Sequence, residues 1–217
     1  MNKKIDLRLY ALTDATLSRG RSHSDVIAAA IRGGATIIQY REKSANTRKM
    51  IEEARILLDL CRKHKVPFIV NDRLDVAMVV DADGVHVGQD DMPASLARKL
   101  IGEQKILGVS AENEEQARQA IADGADYLGA GAVFITATKS DAGNPIGLDG
   151  VERIVRMSQV PVVGIGGINA SNAAGVIRAG AAGVAVVSAI VNADDVEVAA
   201  RELKQIVTEA GVPQRTK

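Results

Sequence analysis

Gly33-Gly34-Ala35-Thr36-Ile37-Ile38-Gln39-Tyr40-Arg41-Glu42-Lys43 carries in eleven residues the pattern from which the architecture follows. Its two glycines end an amphipathic segment, His23 to Arg32, in which Val26, Ile27, Ala30 and Ile31 keep helical spacing. A short apolar run follows and reads as a strand over Thr36–Gln39. Hydrophilic, chemistry-capable residues then stand where a buried strand should be ending. Continuous apolar runs of this kind suit a parallel sheet covered by helices.

The same grammar repeats along the chain. Strands are predicted at Leu7–Leu12, Thr36–Gln39, Val66–Val70, Val85–Val87, Ile106–Val109, Asp126–Gly129 (with an irregular extension to Phe134), Val162–Ile165 and Gly183–Val187. The helices between and after them are His23–Arg32, Arg48–His64, Leu74–Val79, Ala94–Ile101, Glu112–Ala122, Gly147–Met157, Asn169–Ala179 and Ala193–Ala210. Pro93 suits the first turn of the fourth helix. Eight strand–helix pairs in 217 residues predict an α/β protein, a single (β/α)8 TIM barrel spanning 1–217 with its core at 7–210. An open doubly wound sheet usually has fewer strands and a glycine-rich first turn, and no G-x-G-x-x-G follows the first strand.

Composition narrows the function. Lysine and arginine total 27 against 27 acids, so there is no basic surplus for a nucleic-acid backbone. Two Phe, three Tyr and no Trp leave little aromatic surface for stacking bases. The single cysteine, Cys61, falls in phase with Ala54, Leu57 and Leu58 and reads as a small core residue. No long uncharged apolar stretch suits a bilayer, and Met1 to Asp6 starts basic with no apolar region behind it. A cytoplasmic protein acting on small molecules, without membrane or nucleic-acid partners, is the expectation. A homo-oligomer is compatible with the sequence.

The active sites of such barrels lie at the C-terminal ends of the strands. Arg41 and Lys43 follow strand 2 and, two residues apart on an extended segment, can reach one pocket. Gln39 sits inside the apolar run, where a buried amide needs partners. Asn71-Asp72 follows strand 3, and Asp90-Asp91 follows strand 4. Each pair alone fits helix capping as well as it fits metal binding. Two acidic junctions on neighbouring strands, about 5 Å apart, favour a shared Mg²⁺ on Asp72 and Asp91. His86 reads as a packed, hydrogen-bonded interior histidine, while His23 and His64 read as helix-terminal surface residues. Ser110 ends strand 5 with no base beside it and suits a hydrogen-bond donor to substrate. Thr136, Thr138 and Lys139 after strand 6 suit phosphate. The glycines 164, 166 and 167 and the Val187-Ser188 turn stand where such barrels bind a second, milder phosphate site.

With these residues in place, Leu9 to Asp14, Gly20-Arg21, Gln39 to Lys43, Asn71 to Arg73, Gly84 to Asp91, Thr136 to Lys139 and Gly164 to Ile168 resemble the thiamine-phosphate synthase and thiazole tautomerase family over most of the chain. The resemblance implies a (β/α)8 barrel joining a hydroxymethylpyrimidine diphosphate to a thiazole phosphate, with Mg²⁺ and release of pyrophosphate. It implies Arg41, Lys43, Ser110 and Lys139 as catalytic residues and Asp72 and Asp91 as metal ligands. It further implies Gln39, Tyr40, Arg41, Glu42, Lys43, Asn71 and Lys139 around the pyrimidine diphosphate, and Thr136, Thr138, Gly167, Val187 and Ser188 around the thiazole phosphate. Tyr40 departs from the leucine or phenylalanine the family pattern leads one to expect. The tautomerase branch has no need for Lys43, Asp72, Asp91 and Lys139 together, and a phosphate-sensing regulator on a retired barrel should have lost some of them. All four are present.

Overall fold

The computed structural model describes residues 5–136 and 144–211. Its strands are β1 (Leu9–Leu12), β2 (Ile37–Tyr40), β3 (Phe68–Asn71), β4 (Gly84–Val87), β5 (Ile106–Ala111), β6 (Tyr127–Ala130), β7 (Val162–Ile165) and β8 (Gly183–Val186). They pair in sequence order into a closed barrel, and β1 closes on β8. Every pairing is parallel, with registers such as Tyr10↔Ile37 and Tyr10↔Ala185. The helices are α1 (His23–Arg32), α2 (Thr47–His64), α3 (Leu74–Val80), α4 (Ala94–Ile101), α5 (Glu114–Ala122), α6 (Gly147–Met157), α7 (Ala173–Arg178), α8 (Ser188–Val191) and α9 (Val196–Glu209).

Polar caps fix the helix starts. Ser22 Oγ accepts from Asp25 N, Asn46 Oδ1 from Lys49 N, Asn113 Oδ1 from Gln116 N and Asp195 Oδ1 from Val198 N. Two of these caps explain where the sequence boundaries shift. The fifth helix begins after Asn113 instead of at Glu112, and the last begins after Asp195 instead of at Ala193. The seventh helix starts late because Asn169 and Asn172 fold a turn ahead of it, with Asn172 Oδ1 accepting from Asn169 N at 2.8 Å. The one-turn α8 is an element the periodicity did not resolve.

Side-chain alternation along each strand sorts residues into two cores. Ile38, Tyr40, Phe68 and Val70 point outward into the layer between strands and helices, together with Val26, Ile27, Leu57 and Leu58. Leu7, Tyr10, Leu12, Ile37, Ile69, Ile106, Tyr127, Val163 and Ala185 fill the barrel interior. Each fully buried Ile or Leu contributes roughly 1.5–3 kcal/mol. Away from the strand C-termini, Arg98 is directed at Asp126 (2.7 Å) and the carbonyls of Gly102, Lys105 and Gly124, tying α4 to the turns before β5 and β6. No helix among the described residues is long and apolar enough to cross a membrane.

The interior is not wholly apolar. The Tyr10 and Tyr127 hydroxyls lie 2.9 Å apart, and Tyr127 Oη lies 2.9 Å from His86 Nδ1. Gly108 makes room for this meeting. A Cβ there would lie 2.1 Å from Tyr127 Cζ and 2.5 Å from His86 Nδ1. As the sequence predicts, His86 is buried and hydrogen-bonded. His64 is exposed, but His23 departs from expectation. Its side chain is only 9% exposed and its Nδ1 stands 3.4 Å from Glu53 Oε2.

Two outcomes are expected from this packing. Gly108→Ala should destabilise the protein by roughly 1–3 kcal/mol in denaturant melts, the cost of overfilling a tight interior. Cys61 is buried on α2, and burial, assisted by the nearby Asp83 charge, pushes its thiol up to about 12. An aromatic disulfide reagent at mildly alkaline pH should therefore label it only after unfolding; labelling of the native protein at the rate of an exposed thiol would contradict this packing.

Candidate active site

A cavity of about 590 Å³ opens at the C-terminal ends of the strands. Gln39, Arg41, Lys43, Asn71, Asp72, Asp91, Ser110, Thr136, Gly167, Val187 and Ser188 all line it. These residues come from seven of the eight strand ends, so barrel closure gathers stretches up to 149 positions apart, from Gln39 to Ser188. Thr138 and Lys139 lie outside the described residues.

The two acidic junctions resolve in a direction the sequence left open. Neither caps a helix: the N-cap of α3 is Arg73 and that of α4 is Pro93, each without a side-chain capping bond. Asp91 Oδ2 instead accepts from Gly88 N at 2.7 Å, which turns its carboxylate back toward β4. Asp72 holds a left-handed backbone, φ 59°, and its N–H donates to the His86 carbonyl at 2.8 Å. That conformation is sparsely populated outside glycine, and aspartate is among the residues that tolerate it. Lys43 Nζ reaches Asp72 Oδ2 at 2.5 Å. Burial holds the Asp91 carboxyl above the ordinary aspartate range, and the neighbouring Asp72, through a hydrogen bond and its charge, raises it further. The two carboxylates thus face each other across β3 and β4.

Charge at the described lining is unbalanced. Arg41 and Lys43 stand against Asp72, Asp90, Asp91 and Glu112. A polyanion would meet net negative charge there, and a divalent cation on Asp72 and Asp91 would cancel it. Mg²⁺, with its preference for one or two carboxylates plus substrate phosphates, fits this donor set.

Arg41 is positioned from below. Its Nη1 donates to Asp14 Oδ2 at 2.6 Å, and its N–H donates to Thr13 Oγ1 at 2.9 Å. Asp14 is in turn fixed by Thr16 and by Leu17 N. Gln39, 2% exposed, donates from Nε2 to Tyr10 Oη at 2.8 Å. Ser110 Oγ lies 2.9 Å from His86 Nε2, and burial pushes that imidazole down to about 4 against the opposing pull of Asp91, so the ring is neutral near pH 7. Across the barrel, Gly166 and Gly167 hold positive φ of 98° and 66°. A Cβ on Gly167 would stand 2.6 Å from the Ile135 carbonyl, so these glycines let the β7 loop close against the segment following β6.

Two members of the expected substrate-binding set do not line the cavity. Tyr40 is one residue out of phase with Gln39, so its ring points outward, stacked at 6.4 Å on Phe68 with its hydroxyl donating to Glu53 Oε2 at 2.7 Å. Burial and the Glu53 carboxylate raise its pKa, which keeps it a donor. Glu42 turns back on its own loop, accepting from Ser44 N at 2.6 Å and Ala45 N at 3.0 Å. Both shape the loop that carries Arg41 and Lys43. Asp14, Tyr10 and Tyr127 support the site without having been singled out by sequence reasoning. The signal for Asp14 was present, as a lone acid directly after the first strand.

Known proteins agree with this geometry. Residues 9–190 match the family described as thiamine monophosphate synthase. The chain is 65% identical over 204 residues to the thiamine-phosphate synthase of Chloroflexus aurantiacus, covering 94% of each chain. It is 53% identical over 202 residues to that of Moorella thermoacetica, covering 93% of this chain and 96% of the other. Among solved structures, a thiamine phosphate pyrophosphorylase from Pyrococcus furiosus superposes with a TM-score of 0.88 at 45% identity, covering 95% of this chain and 98% of that one. With its barrel and its sequence both matched along nearly their whole length, the chain belongs to the thiamine monophosphate synthase family.

Proposed function

We propose that the cavity couples 4-amino-2-methyl-5-hydroxymethylpyrimidine diphosphate to hydroxyethylthiazole phosphate and releases pyrophosphate. As a member of its family the chain is a transferase of thiamine biosynthesis; the assignment of steps to residues is the proposal. The observation that carries it is the pairing of Asp72 and Asp91 across β3 and β4 beside Arg41 and Lys43, with neither acid engaged as a helix cap.

The bond from the pyrimidine methylene to the diphosphate oxygen breaks, and its electron pair leaves with pyrophosphate. The thiazole nitrogen then donates its lone pair to the methylene carbon. No proton need be removed for the coupling, and the one histidine lining the cavity among the described residues, His86, is buried and neutral. Arg41, aimed by Asp14, grips phosphate oxygens through a planar fork, and Lys43 adds a point charge. Lys139 joins them on the sequence reading. Asp72 and Asp91 would hold the Mg²⁺, which when bound supplies Lewis-acid charge to the departing phosphoryl oxygens. Gln39, Asn71 and Ser110 orient the pyrimidine. Thr136, Gly167, Val187 and Ser188 anchor the thiazole phosphate; with Thr138, they keep the nucleophile close to the reacting carbon. β3 and β7 stand opposite each other in the eight-strand ring, as do β4 and β8, so the metal side and the milder anion side face across the mouth.

Pyrophosphate release from the two purified precursors tests the assignment. Asp72→Ala and Asp91→Ala are each expected to lose about 10³-fold or more in kcat/KM with unchanged circular dichroism, and EDTA should silence the wild type. Arg41→Lys should lose about 10–100-fold, because a fork becomes a point. Near-normal coupling in Asp72→Ala would remove the metal assignment. Thiazole isomerisation that survives EDTA, without coupling, would place the chain with the tautomerases.

A further inference from the structure

We infer that a one-way chain of hydrogen bonds through the barrel interior, from Gln39 through Tyr10, Tyr127 and His86 to Ser110, turns the Ser110 hydroxyl proton toward the cavity and makes Tyr10 and Tyr127 positioning residues for the pyrimidine substrate. The inference rests on the coupling function for its kinetic consequence; its structural part stands alone.

The direction follows from counting protons. Gln39 Nε2 carries only hydrogens, so the Tyr10 oxygen accepts at 2.8 Å. Tyr10 then has its own proton to give, and the Tyr127 hydroxyl 2.9 Å away is its partner. Tyr127, having accepted, donates to His86 Nδ1 at 2.9 Å. A neutral imidazole that accepts at Nδ1 carries its proton on Nε2. That proton goes to Ser110 Oγ at 2.9 Å. Ser110 has accepted, so its remaining hydrogen is available to a ligand, and Ser110 lines the cavity.

The physical setting supports a fixed direction. Tyr10 and Tyr127 are 1% and 0% exposed, and no described lining residue of the cavity is one of them. Burial raises both phenols well above their ordinary range, so each keeps its proton to pass on. Reversing one bond would force two donors or two acceptors together unless every bond reversed with it. Both ends of the chain reach the cavity, since Gln39 lines it as well. The direction therefore sets two groups at once: it leaves Gln39 its carbonyl as an acceptor, and it makes Ser110 a donor. A heteroaromatic edge carrying an amino group and a ring nitrogen offers the matching pair.

The test begins with the wild type free of substrate. Long-range ¹H–¹⁵N correlation of histidine-labelled protein reads the tautomer of His86 directly. The three histidines are separated with His23→Gln and His64→Gln variants. The Nε2–H form is expected, and an Nδ1–H ring or a mixture would overturn the inference. Tyr127→Phe should release the ring into a tautomer mixture. It should raise KM for the pyrimidine diphosphate about tenfold with KM for the thiazole phosphate unchanged, the loss of one oriented hydrogen bond. Tyr10→Phe leaves the Tyr127–His86 bond in place and should move both readouts the same way by less. An unchanged tautomer in Tyr127→Phe, or equal losses for both substrates, would reject the positioning role. Coupling activity with an Nδ1–H ring removes the chain of bonds and leaves the function; an Nε2–H ring in a protein that does not couple does the reverse.

Discussion

The site depends on the pairing that closes the sheet. Leu9, Tyr10 and Ala11 of β1 lie in register with Val184, Ala185 and Val186 of β8, and with that contact made no strand edge remains. Because all eight strands run the same way, closure brings every C-terminal end to one rim. An open parallel sheet would set the same residues in a line, with the loops after β3 and β7 at remote positions along it. Closure converts that line into a ring, so that carboxylates from one side and glycine-bearing loops from the other face a shared space.

The rim is arranged at some expense to the free protein. Asp72 holds a left-handed backbone, a conformation worth on the order of 1 kcal/mol of strain for a non-glycine residue. Asp91 is kept partly away from water beside another carboxylate, and its acidity is weakened accordingly. Neither feature stabilises the barrel. Under the proposed metal assignment, a divalent ion between the two acids would offset the repulsion and the desolvation at Asp91 together. Arg41 shows the complementary arrangement. Its charge is oriented by the buried Asp14 before any ligand arrives, so less conformational freedom is lost when a phosphate is gripped.

Much of this was legible in the chain. The eight apolar runs gave every strand, and the polar residues directly behind them gave the rim. Boundaries slipped where a cap is itself polar: Asn113 and Asp195 carry no periodicity and so could not announce that they stand outside their helices. Taken singly, the Asn71-Asp72 and Asp90-Asp91 junctions fit capping and cation binding equally, because both draw on the same side chains, and only the two together favoured a cation. The absence of a side-chain capping bond at α3 and α4 removes the competing role. Tyr40 and Glu42 belong to the segment whose resemblance to the family implies substrate contact, yet neither lines the cavity. Period-two alternation, already used for Arg41 and Lys43, places Tyr40 on the opposite face from Gln39. In sequence, Tyr10 and Tyr127 are simply members of apolar strands. What gives their hydroxyls meaning is a partner 117 positions away, and no local pattern encodes that.

The polar thread in the barrel interior also bears on why the barrel is filled as it is. Apolar side chains would fill the same volume, and a half-satisfied polar network would be worse than either. Here each of the five members has a hydrogen-bond partner inside the thread, so burial leaves none of its linking groups stranded. Gly108 and Gly129 supply the space, since a Cβ on Gly129 would stand 3.1 Å from His86 Cε1 and one on Gly108 would strike both His86 and Tyr127. Glycines in mid-strand weaken a sheet. Their presence where the thread passes means that room for two hydroxyls and an imidazole takes precedence over local strand stability. A core built for stability alone has no reason to begin and end its polar groups in the same cavity, as this one does at Gln39 and Ser110.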